Sequence, residues 1–179
     1  MDNIESKIVY DQRTIVRALY TLVRNIKCEV EFDAENPPVY ICIMSGAVQF
    51  FSAITLMLPP GRCEYIKAHS YGDNQSAGTL VVSDINNSSL LSAKHIFIFD
   101  DICDSGATLK AVRDMVQSAN PTASVYTVAL INRVNEDKGV PYWSGIDTSE
   151  STFFAGFGMD NKGLNRNLSF IYDCTEDKI

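Results

Sequence analysis

The segment that decides the fold is Phe97-Ile98-Phe99-Asp100-Asp101-Ile102-Cys103-Asp104-Ser105-Gly106-Ala107-Thr108. The apolar run from Ile96 to Phe99 is typical of a strand buried in a parallel sheet. Three acidic residues follow, and a turn of small residues then opens a predicted helix over 106–119. The first backbone N–H groups of such a helix are free to bind a phosphate. The segment therefore predicts a ligand site at the carboxyl end of a parallel sheet.

A simpler interpretation of the same turn is helix capping. Asp104 or Ser105 could satisfy the first backbone amides of the helix, and acidic residues are common before a helix N-terminus. The capping interpretation does not account for the apolar strand and the paired acids that precede the turn, so the ligand site is favoured.

Strands and helices alternate along the rest of the chain. The predicted strands are Val39–Met44, Glu64–Ala68, His95–Phe99 and Ser124–Ile131, with helices in two of the intervals. An opening amphipathic helix is indicated by one apolar face, formed by Ile15, Ala18, Leu19, Leu22, Val23 and Ile26. The alternation predicts an α/β protein with a mainly parallel sheet. At 179 residues, the chain 1–179 is predicted to form a single domain.

Charge and cysteine content narrow the functional class. The net charge is -7 and the pI is about 4.7, which argues against a surface that binds duplex nucleic acid. The five cysteines include no C-x-x-C pair and are odd in number. Reduced thiols in a cytoplasmic protein are therefore favoured over a zinc site or a disulfide framework.

One apolar span, Val39 to Leu58, has about the length that a bilayer crossing requires. Polar residues interrupt it, and proline pairs at 37–38 and 59–60 punctuate both ends. A strand, a turn at Ser45-Gly46 and a helix from about Ala47 fit this span better than a membrane helix. The acidic N-terminus lacks the apolar stretch of a secretory signal, so we expect no membrane association.

Two apolar residues, two acids, two further residues and then Asp-Ser-Gly-x-Thr resemble the signature of the type I phosphoribosyltransferases, which bind phosphoribosyl pyrophosphate (PRPP). Other segments are similar to hypoxanthine-guanine phosphoribosyltransferases in particular. In chain order these are Val39–Gly46, Ser70-Tyr71, Ala129–Arg133 and Phe153–Asp160 followed by Arg166. They keep the family's order from about residue 37 to 172, so the resemblance covers most of the chain.

The resemblance implies a type I phosphoribosyltransferase fold: a mainly parallel central sheet flanked by helices, with a small hood over the site. It also implies purine salvage, in which the 5-phosphoribosyl group of PRPP passes to hypoxanthine or guanine to give IMP or GMP and pyrophosphate. The resemblance further implies Mg²⁺ as the cofactor and a homodimer or homotetramer as the assembly. Two alternatives stay open: a regulatory protein of this fold that senses PRPP or nucleotide, and an enzyme for another base such as xanthine.

The resemblance also implies roles for individual residues. Asp104 is the expected catalytic acid that faces purine N7 from a closed, dry pocket. The expected PRPP-binding residues are Asp100, Asp101, Asp104, Ser105, Gly106, Ala107 and Thr108, and the expected pyrophosphate-binding residues are Ser45, Gly46 and Arg166. The purine is expected to meet Arg133, Phe153, Phe154 and Asp160, with Phe153 stacked on the base. The metal is expected at Asp100, Asp101 and Asp160, and the lid at Ser70 and Tyr71.

Three departures from the family pattern stand out. Ser45 replaces a frequent lysine in the pyrophosphate turn, Arg133 replaces the purine-reading lysine, and Asp100 replaces a frequent glutamate. Arginine keeps a donor toward a carbonyl oxygen but changes its shape. The polar excursion from Ser70 to Ser83 is either the expected lid or an ordinary solvated hairpin.

Overall fold

A computed structural model describes residues 7–71, 79–82, 90, 92–134 and 139–178. The strands are β1 Ile8–Tyr10, β2 Val39–Met44, β3 Arg62–Tyr71, β4 Thr79–Val82, β5 His95–Cys103, β6 Ser124–Asn132, β7 Trp143–Asp147, β8 Phe154–Ala155 and β9 Ile171–Asp173. The helices are α1 Gln12–Glu29, α2 Val48–Thr55 and α3 Ala107–Ala119, with a short 3₁₀ turn at Thr175–Lys178.

The central sheet has six strands in the order β4-β3-β2-β5-β6-β7. All neighbours are parallel except β4, which pairs antiparallel with β3. Strand β5 lies between β2 and β6, and alternate side chains of its apolar run enter the two cores on either face: Phe97 and Phe99 on one, Ile96 and Ile98 on the other. A parallel sheet that is buried on both faces needs strands whose side chains are apolar on both faces, and the apolar run of β5 meets that need. The arrangement confirms the predicted α/β class.

Helix α1 forms as its apolar spacing predicts, and the six residues of that face are its buried residues. Asp11 caps it by accepting a hydrogen bond of 2.8 Å from the Thr14 backbone N–H. The helix packs on β7 at Gly145, where a Cβ would lie 3.2 Å from the Ala18 side chain. A residue without a side chain is therefore what lets α1 approach the sheet closely.

The apolar span Val39 to Leu58 forms β2, a turn and α2, as predicted. Among the described residues, no helix combines the length and apolar character needed to span a bilayer. None of the five cysteines forms a disulfide, and Cys42, Cys103 and Cys174 are buried.

Several predicted boundaries were wrong. Strand β5 does not end at Phe99 but continues to Cys103, with Asp100 opposite Ala129 and Ile102 opposite Ile131 on β6. The paired acids therefore lie within the strand, since backbone pairing with β6 outweighs the low strand propensity of aspartate. Strand β7 was missed because Ser144 and Gly145 interrupt its apolar pattern.

The excursion after β3 begins as a hairpin. Ser70 pairs with Leu80 and Tyr71 with Thr79 in the antiparallel β3–β4 ladder, so the hairpin interpretation is confirmed for these paired residues. Residues 72–78, and Ser83 at the end of the excursion, lie outside the described part of the chain. The lid role assigned to Ser70 and Tyr71 stays a prediction.

A second, three-stranded antiparallel sheet in the order β1-β9-β8 forms the hood. The turn after β8 returns to the main sheet at Gly158, whose φ is +106° and whose missing Cβ would lie 2.0 Å from the Gly46 carbonyl oxygen. The hood and the turn after β2 thus meet backbone to backbone. Only glycine allows this contact, because of both the positive φ and the absent side chain.

We expect Gly158→Ala to lower the free energy of unfolding by about 1–3 kcal/mol and to reduce any activity of the cavity below. Gly163→Ala is the matched control, because Gly163 has a similar φ of +83° but nothing within 4 Å of its missing Cβ. Urea unfolding of both variants measures the difference. Equal losses in the two variants would show that the contact with Gly46 is unimportant.

Candidate active site

A cavity of about 450 Å³ lies between the carboxyl end of the central sheet and the hood. It is lined by Ile43, Met44, Gly46, Asp100, Asp101, Ile102, Asp104, Thr108, Arg133, Phe153, Phe154, Met159, Asp160 and Arg166. A smaller cavity adjoins it at the turn that opens α3. Both lie where open parallel sheets bind ligands, at the ends of β2 and β5.

The floor of the cavity holds two adjacent carboxylates. Asp100 is buried, and its Oδ1 accepts a hydrogen bond of 3.1 Å from the Asp101 backbone N–H. Asp101 is partly buried, and its Oδ1 accepts from the Ile102 N–H at 3.0 Å. The other oxygen of Asp101 lies 2.0 Å from where a Gly46 Cβ would be, so the carboxylate fills the space beside that glycine.

Burial raises the pKa of both acids. For Asp100 the pKa lies well above its usual value, first because of desolvation and then because the Asp101 charge is adjacent. Desolvation also raises the pKa of Asp101, opposed by hydrogen bonds and by the charge of Arg166. A cation close to the two carboxyls would favour their ionised forms and so oppose both shifts.

The turn that opens α3 is where the sequence predicts a bound phosphate. Gly106 is the residue before the helix, with φ +80°, and has no side chain of its own to cap the helix. Ser105 Oγ accepts a hydrogen bond of 3.3 Å from the Ala107 N–H, while Val140 packs 2.9 Å from where a Gly106 Cβ would be. The capping interpretation is therefore confirmed in part, since Ser105 satisfies the first amide of the helix. Residues 103–109 of the same turn also line the smaller cavity.

Opposite the acids, Arg133 forms one wall. Its backbone N–H donates to the Cys103 carbonyl at 2.9 Å, which brings the end of β6 next to Asp104. Its Nη1 donates to Asp104 Oδ1 at 3.3 Å and its Nη2 donates to the Thr152 carbonyl. Its Cζ lies 4.5 Å from the centroid of the Phe154 ring.

Asp104 differs from the expectation of a dry pocket, because its side chain is 71% exposed and pairs with Arg133. Desolvation acts instead on Asp100, deeper in the same strand. The reason is geometric: β5 ends at Cys103, so Asp104 is the first residue beyond the sheet.

The hood supplies the remaining wall. Phe153 is 50% exposed at the cavity, whereas Phe154 is buried. Arg166 donates to the Gly158 carbonyl at 2.7 Å and pairs with Asp160 Oδ1 at 2.7 Å. Asp160 Oδ2 accepts from the Gly163 N–H at 2.7 Å, so both of its oxygens already have protein partners.

The structure thus brings most of the predicted site residues around one cavity. Ser105, Gly106 and Ala107 line the smaller cavity, and Ser45 is exposed next to Gly46. Sequence reasoning missed the apolar lining of Ile43, Met44, Ile102 and Met159, and the carbonyl of Thr152. The sequence does not single these residues out, because apolar side chains and a backbone carbonyl have no distinctive chemistry. They belong to the site only because the fold places them at the cavity.

Comparison with known proteins settles the family. A sequence model described as the phosphoribosyl transferase domain matches residues 5–162. The chain belongs to the phosphoribosyltransferase family. The resemblance noted from its motifs is thereby confirmed.

Two curated relatives show the range of this similarity. The chain is 28% identical over 180 residues to a hypoxanthine-guanine-xanthine phosphoribosyltransferase from Tritrichomonas foetus, covering 96% of this chain and 92% of the relative. It is 31% identical over 143 residues to a hypoxanthine-guanine phosphoribosyltransferase from Crithidia fasciculata, covering 75% and 66%.

Solved structures show the same fold. A hypoxanthine phosphoribosyltransferase from Staphylococcus aureus superimposes with a TM-score of 0.80 at 22% identity, covering 93% of this chain and 90% of the other. The Trypanosoma cruzi enzyme in complex with its product IMP gives 0.78 at 23% identity, covering 97% and 96%. These values confirm the type I phosphoribosyltransferase fold.

The acid pair also fits the expected divalent cation. Within the described ranges, no group of three or more His, Cys, Asp or Glu side chains is arranged around one point. Mg²⁺ is commonly held by one or two carboxylates together with substrate phosphates and water, so it does not need such a group. Asp100 and Asp101 are oxygen donors of that kind, and a nearby cation would offset their desolvation.

We expect Asp100→Asn to stabilise the ligand-free protein at neutral pH. The raised pKa means that the folded state keeps a proton that the unfolded chain releases, so the carboxyl's contribution to stability falls as pH rises above about 4. The gain should therefore grow between pH 4 and pH 7 in urea unfolding. Asp114→Asn is the control: Lys110 chiefly lowers the pKa of exposed Asp114, so its replacement should give no gain.

Proposed function

We propose that this chain transfers the 5-phosphoribosyl group of PRPP to a 6-oxopurine, forming IMP or GMP and releasing pyrophosphate, as an enzyme of purine salvage. The observation that carries the proposal is the side-by-side placement of Arg133 Nη1 and Asp104 Oδ1, 3.3 Å apart, on the cavity wall. A donor next to an acceptor complements the purine edge that presents O6 as an acceptor beside a protonated N7.

The rest of the cavity is suited to binding the phosphate groups of PRPP and the faces of the purine ring. The backbone amides at the start of α3 suit the 5′-phosphate, with Ser105, Gly106, Ala107 and Thr108 around it, although the Ala107 N–H must exchange its 3.3 Å bond to Ser105 Oγ for one to the anion. The Gly46 turn and Arg166 suit pyrophosphate, although Arg166 must share its Asp160 contact when the anion binds. Phe153, half exposed at the cavity, is available to stack on the base.

Asp100 and Asp101 would hold Mg²⁺, directly or through its waters, and accept hydrogen bonds from the ribose diol. When bound, the ion supplies charge neutralisation at the pyrophosphate leaving group. A ribosyl carbon that develops positive charge would also be stabilised by these carboxylates. Asp160 would reach the ion only through water, because both of its oxygens have partners.

Water must be kept from the reacting ribosyl carbon, and we assign that role to Ser70, Tyr71 and the segment that follows them. The hairpin start of this segment extends from β3, next to the strand β2 that leads to Gly46. Closure over the cavity would also bury Asp104 when substrates are bound, which supplies the dry environment that proton transfer requires.

Assembly and location are part of the same proposal. We expect a homodimer or homotetramer, supported by the exposed apolar side chain of Leu56, which is 88% exposed, and by Tyr65, which is 52% exposed on β3. Five cysteines without a disulfide favour a reducing compartment such as the cytoplasm.

The proposal is tested by mixing the protein with PRPP and Mg²⁺ and each of hypoxanthine, guanine, xanthine and adenine. In this assay Asp104→Asn should lower turnover about 10²–10⁴-fold, because the amide can no longer take the N7 proton. PRPP affinity, measured by calorimetry, should change little because the phosphate cradle is mainly backbone. Turnover of Asp104→Asn within threefold of the parent would remove Asp104 from the catalytic role.

Substitutions of Arg133 test the choice of base. A 6-amino group presents hydrogens to a donor, so the parent should use adenine roughly 10⁴-fold less efficiently than hypoxanthine. Arg133→Lys should keep most of this preference, and Arg133→Met should lose much of it. Steady-state kcat/KM for each base decides the matter; an unaltered ratio in Arg133→Met would assign specificity elsewhere.

A further inference from the structure

Arg133, the residue proposed to bind the purine O6, is held by more than its ion pair with Asp104. Its side chain is 13% exposed, whereas the side chain of its partner Asp104 is 71% exposed. Two further contacts fix the guanidinium from the inside: Nη2 donates to the Thr152 carbonyl, and Cζ lies over the Phe154 ring, 4.5 Å from its centroid. The exposed carboxylate is therefore the weakest of the three anchors, since solvent screens it.

Phe154 is itself held rigidly. It is buried, its backbone belongs to β8 opposite Asp173, and its ring meets Tyr10 of β1 edge-on at 5.6 Å. One face of the Phe154 ring thus contacts the Arg133 guanidinium, and contacts within the hood hold the ring in place. The neighbouring Phe153 has a different position, half exposed at the cavity.

We propose that Phe154 is a positioning residue for base specificity, whose ring seats the Arg133 guanidinium and aims it at position 6 of the purine. The inference rests on the proposed function and changes the expected role of Phe154 from a purine contact to a support for Arg133. It also accounts for arginine at this position. Planar guanidinium can stack on an aromatic face and donate to Thr152 at once, which a lysine ammonium cannot do in the same way.

The orientation of the guanidinium leaves a donor for the substrate. Nη1 and Nη2 each donate to one protein acceptor, and Nε is buried without a hydrogen-bond partner among the described residues. Each Nη carries a second N–H, so Nη1 can donate to purine O6 while it stays bonded to Asp104. If the ring seat is lost, the guanidinium can turn toward solvent and satisfy its donors with water, which weakens discrimination between oxo and amino groups.

The test replaces the ring at position 154 in the full-length protein. Phe154→Met keeps an apolar side chain of similar size without an aromatic face. Incorporation of pentafluorophenylalanine at position 154 keeps the shape and removes the negative potential of the face, so it serves even if Phe154→Met fails to fold. Both changes should lower the hypoxanthine-to-adenine ratio of kcat/KM about 5- to 30-fold, the range of a desolvated cation–π contact. Phe154→Tyr, which retains the ring face, should keep the ratio.

The effect should appear in the KM for hypoxanthine, with the KM for PRPP unchanged, because the seat acts on the base pocket alone. Phe153→Met is the matched control: loss of a stacking platform should raise the KM for all bases alike and leave the ratio as in the parent. A ratio that stays constant in both Phe154→Met and the pentafluoro protein would overturn the proposal. A common rise of all KM values, including that for PRPP, would also overturn it by indicating a purely structural role.

A readout independent of turnover separates this inference from the proposed function. In the ligand-free protein, the side-chain Nε–H resonance of Arg133, identified by its loss in Arg133→Lys, should lie upfield because of the Phe154 ring. It should move to an ordinary position in Phe154→Met. An unshifted resonance in the parent refutes the contact between the Arg133 guanidinium and the Phe154 ring, whether or not the protein is active. A shifted resonance without turnover of any base refutes the proposed function but supports that contact.

Discussion

Two backbones and one carboxylate meet at one point of this structure, and the cavity depends on that contact. The Asp101 carboxylate fills the space beside Gly46, and the Gly46 carbonyl lies against Gly158 of the hood. Neither glycine has room for a Cβ, so β5, the turn after β2 and the hood approach one another more closely than side chains would allow. The acids, the turn and the hood residues reach the same cavity because of this packing.

The same packing explains why the site is costly to fold. Asp100 is buried beside a second carboxylate, and desolvation raises the pKa of both. The ligand-free protein therefore carries unfavourable electrostatics at this acid pair, which a bound cation would relieve under the proposed function. The central position of β5, between β2 and β6, provides the surrounding apolar packing that tolerates this cost.

The other wall of the cavity shows how a departure from a family pattern is accommodated. Arg133 carries a larger and flatter head than the lysine that the family resemblance leads one to expect at this position. The guanidinium donates to the Thr152 carbonyl and lies over the Phe154 ring, two contacts that a lysine ammonium would not need. The substitution and its support are separated by about twenty residues in the chain, and they meet only because β6 ends beneath the hood.

The sequence by itself determined the α/β class, the apolar face of α1, the strand-turn-helix at 39–58 and the acidic segment that leads into a helix. Each of these is a local pattern whose period or turn chemistry is readable in neighbouring residues. Tertiary structure alone decided that β5 continues through Asp100 and Asp101, because pairing with β6 extends a strand beyond its own propensity. It also decided which of two adjacent and chemically similar aromatic residues is exposed at the cavity: Phe153, just before β8, is half exposed, whereas Phe154, within β8, is buried with its ring close to Arg133.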